Sequence, residues 1–221
     1  MTSIAENIDL LRQKIPPSVK LVAVSKTKTV SDILEAYNAG QRCFGENRVQ
    51  ELLLKKDNLP PDIEWHLIGH LQSNKVKSIV PFITMIQSVD SYKLLETINT
   101  EASKVERKID CLLQIHIAEE ETKSGFGLEE ITGILDDVLY KELKFVRVCG
   151  VMGIATFTSN AKMIQKEFRM LKECFNSLKN RYFEGSPYFK EISMGMSSDY
   201  KIAITEGSTI VRIGNHIFGE R

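Results

Sequence analysis

Two cations of this sequence lie within or just after apolar runs, where they could act on a small anionic ligand. Lys26 follows the run Leu21–Val24 after a single serine, and Arg212 lies in the last such run, "TIVRIG". A lysine held against apolar surface, or beside a second cation such as Arg212, has a lowered pKa and becomes nucleophilic toward an aldehyde. Lysines are also mostly exposed, so a solvated cation at the end of a strand is the other interpretation of Lys26.

Two segments near the C-terminus have features of a phosphate cradle, since one combines serines with a glycine and the other has a glycine followed by a polar residue. "SMGMSSD" contains Ser197, and "RIGN" contains Gly214 and Asn215. Hydroxyls and closely approaching backbone N–H groups are what a dianionic phosphate requires. Glycine and serine are also ordinary turn residues, so two plain turns are the alternative.

The histidines, cysteines and paired lysines give weaker indications of a functional site. His66 and His70 are four residues apart, but on a predicted strand and its following loop, and they form no H-E-x-x-H motif. The four cysteines form no C-x-x-C pair, so we expect no metal site. The pair Lys55-Lys56 is short, and we expect it to lie on a solvated face.

Eight short apolar runs alternate with amphipathic segments along the chain. Such alternation predicts parallel strands joined by helical crossovers, and eight strands predict a (β/α)8 TIM barrel, which we expect to form a single domain over residues 1–221. An open doubly wound sheet is the alternative, although six strands would suit it better than eight. The predicted strands lie near 20–26, 42–46, 63–69, 85–90, 110–117, 147–155, 190–195 and 209–214.

Helix signals support this assignment. Capping boxes, Ser3 with Glu6 and Thr29 with Asp32, begin two helices. Two later helices each carry an apolar face. In the helix from about 91 this face comprises Leu95, Ile98, Ala102 and Val105. In the helix from about 160 it comprises Ile164, Phe168, Leu171, Phe175 and Leu178. The sequence after the eighth strand is too short for a normal helix. Our hypothesis is that an additional N-terminal helix over 4–15, or a segment trimmed from the chain, covers that part of the barrel.

Composition narrows the function classes. Lys plus Arg and Asp plus Glu both number 29, so the basic excess typical of nucleic-acid binders is missing. The N-terminal segment has no apolar core of signal-peptide type, and no run approaches the roughly 20 apolar residues of a membrane span. Unpaired, widely spaced cysteines favour a reducing compartment. We expect a soluble cytoplasmic protein that contacts neither nucleic acid nor membrane.

Nine motifs together resemble one known family over roughly residues 4 to 221. They are "AVSKT", "FGENRVQE", "EWHLIGHLQSNK", "SVDS", "TKSGFG", "GVMGIA", "SMGMSSDY", "EGST" and "VRIGNHIFGER". The chain closely resembles the pyridoxal phosphate homeostasis protein family, whose members are similar to the barrel domain of alanine racemase. The resemblance implies the fold type III barrel of pyridoxal 5'-phosphate (PLP) proteins.

The resemblance also implies a cofactor site, with PLP bound as a Schiff base to Lys26. It implies a phosphate cradle made by Ser197, Gly214 and Asn215, and it places Arg212 at the pyridine nitrogen. Further residues are implied beside the ring or in the pocket wall, namely Asn47, His66, Met152 and Met196. Asn215 departs from the family, which usually has a small hydroxyl residue there. The lost hydroxyl contact leaves the geometry on that side of the phosphate open.

The function implied by the resemblance is storage, buffering or delivery of PLP, without established catalytic activity. PLP-dependent apoenzymes would be the recipients, and the exposed mouth of the barrel suits a monomer. The alternative is a weak PLP-dependent amino-acid racemase. A two-base racemase needs an acid–base group on the opposite face of the substrate, and this chain shows no second domain to supply it. A sugar-phosphate-binding barrel without PLP is a third interpretation.

Overall fold

Eight parallel strands close into a barrel in the computed structural model, which describes residues 3–120 and 124–219. Each strand pairs with its sequence neighbour, and β8 returns to pair with β1, which confirms the predicted TIM barrel. Parts of the motifs "TKSGFG" and "VRIGNHIFGER" lie outside the described residues. The strands are β1 Lys20–Val24, β2 Cys43–Glu46, β3 Glu64–Leu67, β4 Met85–Val89, β5 Ile109–Gln114, β6 Val146–Met152, β7 Glu191–Ser193 and β8 Ile210–Ile213.

Helices follow the strands and pack around the outside of the barrel. They are α1 Ile4–Lys14, α2 Val30–Asn38, α3 Val49–Lys56, α4 Val76–Ile79, α5 Tyr92–Lys104, α6 Leu128–Asp136, α7 Val138–Lys141, α8 Ala161–Tyr182, α9 Tyr200–Thr205 and α10 Asn215–Phe218. Both predicted capping boxes are present, at Ser3 before α1 and at Thr29 before α2. Each hydroxyl accepts a hydrogen bond from the backbone N–H three residues later, which otherwise has no partner in the first turn.

The apolar faces of α5 and α8 are buried as predicted, with one exception. Val105 is 39% exposed, because α5 ends at Lys104 and the backbone of Val105 has already left the helix. The prediction that Val105 belongs to the buried face is therefore wrong. The 22 residues of α8 carry many charges on the outer face, and no helix in the described residues is apolar enough over its length to cross a membrane.

The N-terminal helix closes the barrel where an eighth full helix would lie. The helix after β8, α10, is a single turn, and α1 packs against both α2 and α10. Ile8 and Leu11 of α1 are buried, and the Asn7 side-chain amide donates to the Ile217 carbonyl at 3.0 Å. The hypothesis that the N-terminal helix covers this part of the barrel is confirmed.

Apolar packing divides into two clusters. The larger lies between the strands and the surrounding helices, and the smaller fills the barrel interior with Val22, Cys43, Met85, Leu112, Cys149, Met152 and Ile210. Side chains fill the barrel interior, and open space remains at the mouth, where the carboxyl ends of all eight strands meet. The fold therefore concentrates the polar strand ends around one opening.

Candidate functional site

A cavity of about 410 Å³ opens at the mouth of the barrel, within the size range of small-molecule sites. Its wall combines apolar side chains with two cations and a polar rim. Seven of the residues implied by the resemblance line it, namely Lys26, Asn47, Met196, Ser197, Arg212, Gly214 and Asn215. The other described lining residues are Val24, Ile68, Ile154, Phe157 and Ser198.

Barrel closure brings the two cations to neighbouring strands. Val22 of β1 is in register with Arg212 of β8, and Lys26 follows β1 by two residues. The strand that carries Arg212 therefore adjoins β1, as closure of the predicted eight-stranded barrel requires. Lys26 is half-buried and contributes to the wall of the cavity.

Arg212 is held by the barrel itself. Its side chain is only 4% exposed, one terminal nitrogen donates to Ser193 Oγ at 2.6 Å, and the other donates to the Gly153 carbonyl at 2.9 Å. Burial lowers the pKa of Arg212 to about 10. The guanidinium therefore stays protonated at neutral pH and keeps the remaining N–H donors for a ligand.

A buried chain of hydrogen bonds continues from Arg212 across the barrel. Ser193 Oγ donates to Gln87 Oε1 at 2.6 Å, and Gln87 Nε2 donates to His66 Nδ1 at 2.7 Å. His66 is 1% exposed and lies behind the cavity wall, and Met152 is fully buried in the barrel interior. These two residues implied by the resemblance are therefore not part of the described lining. His66 reaches Arg212 through Gln87 and Ser193.

His66 is expected to make the protein sensitive to acid. Burial lowers the pKa of His66 to about 3, whereas a histidine in the unfolded chain titrates near 6.5. Between these values the unfolded state binds a proton that the folded state does not, so stability is lost as pH falls through 6.5 toward 3. The expected contribution is about 1.4 kcal/mol of unfolding free energy per pH unit.

Urea unfolding at pH 7, 6 and 5 measures this loss. His66→Asn keeps an acceptor for Gln87, and the fall in stability with acid should be shallower than in the wild type. His70→Asn, at an exposed histidine of the mouth, is the control for removing an imidazole. Equal slopes for the wild type and His66→Asn would contradict this account.

The turn after β7 brings hydroxyls and backbone toward the same cavity. Gly195 has φ +94°, and an added Cβ would lie 2.5 Å from the Ala203 Cβ, so glycine is required there. Asp199 accepts a hydrogen bond from the Met196 N–H at 2.5 Å, which holds the loop that carries Ser197. At Gly214 an added Cβ would lie 3.1 Å from the Val24 carbonyl oxygen. The backbone is therefore packed closely at both segments, against α9 at Gly195 and against β1 at Gly214.

A group of possible metal ligands lies on the neighbouring strands β2 and β3. Cys43, Glu64 and His66 have ligand atoms within 4.8 Å of one another, and sequence spacing missed them because they come from two strands. The Lys20 ammonium lies 3.0 Å from Glu64 Oε2, and burial raises the pKa of the Cys43 thiol. A cation would have to displace this ammonium and deprotonate a buried thiol, so we assign no metal to the group.

Sequence reasoning missed three polar residues next to the site. Gln87 and Ser193 face the barrel interior from predicted strands, and a polar residue within an apolar strand is the signal that could have found them. The prediction that Lys55 lies on a solvated face is wrong, since its side chain is 9% exposed. Lys55 lies three residues after Leu52 on the buried face of α3, and that helical spacing was the available signal.

Comparison with known proteins agrees with this geometry. Residues 1–221 match the family model described as the N-terminal domain of alanine racemase. The pyridoxal phosphate homeostasis protein of Aquifex aeolicus is 41% identical, over 91% of this chain and 87% of that protein. Its namesake in Schizosaccharomyces pombe is 38% identical, over 100% of this chain and 94% of that protein.

Solved structures include a close match in both fold and sequence. PipY of Synechococcus elongatus PCC7942, solved with PLP bound, superposes with a TM-score of 0.89 at 38% identity. The match covers 98% of this chain and 100% of PipY. Both the sequence identity and the extent of coverage confirm the resemblance. This chain belongs to the pyridoxal phosphate homeostasis protein family.

Proposed function

We propose that this protein binds pyridoxal 5'-phosphate covalently through Lys26 and acts in PLP homeostasis by storing, buffering or delivering it. One observation carries the proposal, namely that a primary amine, a buried guanidinium and a hydroxyl-lined turn meet in one cavity. These groups suit the parts of PLP, since an amine can bond an aldehyde and hydroxyls with close backbone can bind a phosphate. The PLP-bound structure of the related PipY supports the same assignment.

Each implied residue has a proposed task. Ser197 and the backbone of Gly214 and Asn215 would hold the phosphate, and the Asn215 side chain would add an amide donor. Arg212 would donate to the pyridine nitrogen, while Asn47 and Met196 would flank the ring from the cavity wall. The two buried residues His66 and Met152 would support the ring from behind, His66 through the chain that ends at Arg212.

The charge at the ring nitrogen favours a binding role over catalysis. PLP supplies an electron sink when it is bound, and its strength depends on protonation of the ring nitrogen. Arg212 keeps its own proton at neutral pH, so it leaves that nitrogen an unprotonated acceptor. Among the described residues that line the cavity, Lys26 and Arg212 are the titratable ones. Neither a carboxylate, a histidine nor a tyrosine is placed there as the second acid–base group of a racemase.

The racemase alternative makes a different prediction for exchange. Wild-type protein loaded with PLP is incubated with several amino acids in deuterated water, and loss of the α-proton is followed by NMR. We expect exchange no faster than with free PLP, because the described residues of the cavity wall include no second acid–base group. Catalytic exchange that disappears in Lys26→Ala would overturn the binding-protein assignment in favour of a PLP enzyme.

Delivery of PLP requires proteins that receive it, in the compartment where this protein works. We propose that PLP-dependent apoenzymes receive the cofactor, that the barrel acts as a monomeric single domain, and that it works in the cytoplasm. The four cysteines are all unpaired and buried, which suits a reducing environment. The open mouth of the barrel gives a recipient direct access to the cavity.

Ser197→Ala tests the phosphate side of the site. We expect the Kd for PLP to rise about tenfold to a hundredfold, because a hydrogen bond to a charged group contributes roughly 1.5–3 kcal/mol. The Kd for pyridoxal, which lacks the phosphate, should not change. Fluorescence titration with both ligands measures the difference, and Ser177→Ala on the exposed face of α8 is the matched control. Equal losses for both ligands would contradict the proposed phosphate contact.

A further inference from the structure

The turn that carries Lys26 has a backbone conformation that needs support. Thr27 has φ +64°, in the left-handed region that β-branched residues rarely adopt. The turn is also tied at Ser25, whose N–H donates to the Gly45 carbonyl and whose carbonyl accepts from the Lys28 N–H, both at 3.0 Å. The residues on both sides of Lys26 are therefore held in one arrangement.

Three charged side chains supply much of that support. Lys55 of α3 donates to the Ser25 carbonyl at 2.8 Å and to Glu46 Oε1 at 2.7 Å. Glu46 Oε1 also accepts from Ser25 Oγ at 2.7 Å. On the other side of Lys26, Glu51 Oε2 accepts from the Thr27 N–H at 2.8 Å and lies 3.4 Å from the Lys55 amine. We call Glu46, Glu51 and Lys55 the charged clamp.

Stability alone is a weak explanation for these charges. Glu46 is fully buried, and burial raises the pKa of its carboxyl group despite the contacts with Lys55 and Ser25. Buried ion pairs often stabilise a fold no better than apolar side chains of similar volume. The apolar residues Val49 and Leu52 already pack α3 against the barrel. The charged clamp differs from an ordinary buried ion pair because it hydrogen-bonds the backbone on either side of Lys26, at the Ser25 carbonyl and the Thr27 N–H.

We propose that the charged clamp positions the Lys26 amine for its bond to the aldehyde of PLP, with Lys55 as the central positioning residue. This inference rests on the proposed function. The Lys26 amine forms a C=N bond to the aldehyde carbon and gives up two hydrogens, which leave with the aldehyde oxygen as one water. The reaction requires the amine at the carbonyl carbon in a defined direction, so a relaxed turn lowers its rate.

Lys55→Met tests the clamp, because it keeps a long apolar stem and removes the ammonium. Two properties of the cofactor-free protein are compared. The first is the rate at which PLP becomes trapped on Lys26 by borohydride, followed by mass spectrometry. The second is the Kd for pyridoxine 5'-phosphate, which has the ring and phosphate but no aldehyde. We expect attachment to slow by about tenfold to a hundredfold while this Kd stays within about twofold.

Matched variants separate positioning from general loss of structure. Lys55→Arg should recover most of the attachment rate, and Lys56→Met, at the next residue of α3, should leave it unchanged. If Lys55→Met fails to fold, Glu51→Ala replaces it, since Glu51 is partly exposed and removal frees the Thr27 N–H. A thermal melt establishes that each variant is folded.

The outcomes distinguish the clamp from the proposed function. Attachment at the wild-type rate in folded Lys55→Met or Glu51→Ala would overturn the clamp. Parallel losses in attachment and in pyridoxine 5'-phosphate binding would also overturn it, because they would reveal a structural role only. Wild-type protein that binds neither ligand would instead refute the proposed function.

Discussion

Replacing Lys26 with alanine is expected to abolish covalent attachment of PLP while leaving the barrel folded. Lys26 is half-buried and follows β1, outside both apolar clusters, so its loss removes little packing. The phosphate cradle remains in the variant, and weak reversible binding should persist. The expected change is complete loss of the borohydride-stable adduct, with a rise in Kd of about a hundredfold or more, since no other amine lies at the same place in the described cavity wall.

Borohydride reduction followed by peptide mapping measures this effect. In the wild type the pyridoxyl mass should fall on Lys26, and in Lys26→Ala it should disappear. Lys28→Ala is the control, because this neighbouring lysine turns away to the Phe218 carbonyl at 3.1 Å. An adduct found mainly on Lys28 or Lys75 in the wild type would show that the site is assigned to the wrong lysine.

Arg212→Met is expected to weaken PLP binding by about tenfold to a hundredfold and to shift the absorption spectrum of the bound cofactor. A hydrogen bond from a charged donor contributes roughly 1.5–3 kcal/mol, and about 1.4 kcal/mol corresponds to tenfold in affinity. The substitution also leaves Ser193 Oγ and the Gly153 carbonyl without their donor, which should lower the unfolding free energy by about 1–3 kcal/mol.

Two further variants show whether the effect belongs to the ring nitrogen. Ser193→Ala keeps the guanidinium but removes one of its anchors, so we expect a smaller loss of affinity, about fivefold, and the same direction of spectral shift. Arg107→Ala removes a guanidinium that binds the Val80 and Ile83 carbonyls away from the mouth, and it should lower stability only. An unchanged spectrum in Arg212→Met would mean that Arg212 is purely structural.

Much of the fold could be predicted because its signals are local. The hydroxyl at Ser3 and Thr29 and the carboxylate three residues later lie within one turn of helix, so their hydrogen bonds depend on little else. The apolar runs predicted all eight strands, although β3 ends at Leu67 and β6 at Met152, earlier than predicted. Strand ends depend on where a neighbouring strand stops pairing, and a single segment does not contain that information.

In the candidate site, too, the features with local signals could be predicted and the contacts between distant segments could not. The position of Lys26 after a buried strand, the cradle segments and the family motifs could all be found in the sequence alone. The prediction for the clamp residue Lys55 is wrong, because the residue types in a pair of adjacent lysines do not show whether either one faces solvent or a buried carboxylate. Glu46 is the last residue of the second predicted strand, and the sequence does not indicate its ion pair because the partner, Lys55, lies nine residues away on α3.

By itself the sequence determined the order of the helices and strands, the number of strands, and the residue types that reach the mouth of the barrel. These properties follow from periodicity and capping, which act over a few residues. Only the tertiary structure decided that Arg212 connects through Ser193 and Gln87 to His66, and that Lys55 holds the turn at Lys26. Such contacts join groups from different strands and helices, and strand pairing, helix packing and barrel closure are needed to bring them within hydrogen-bonding distance.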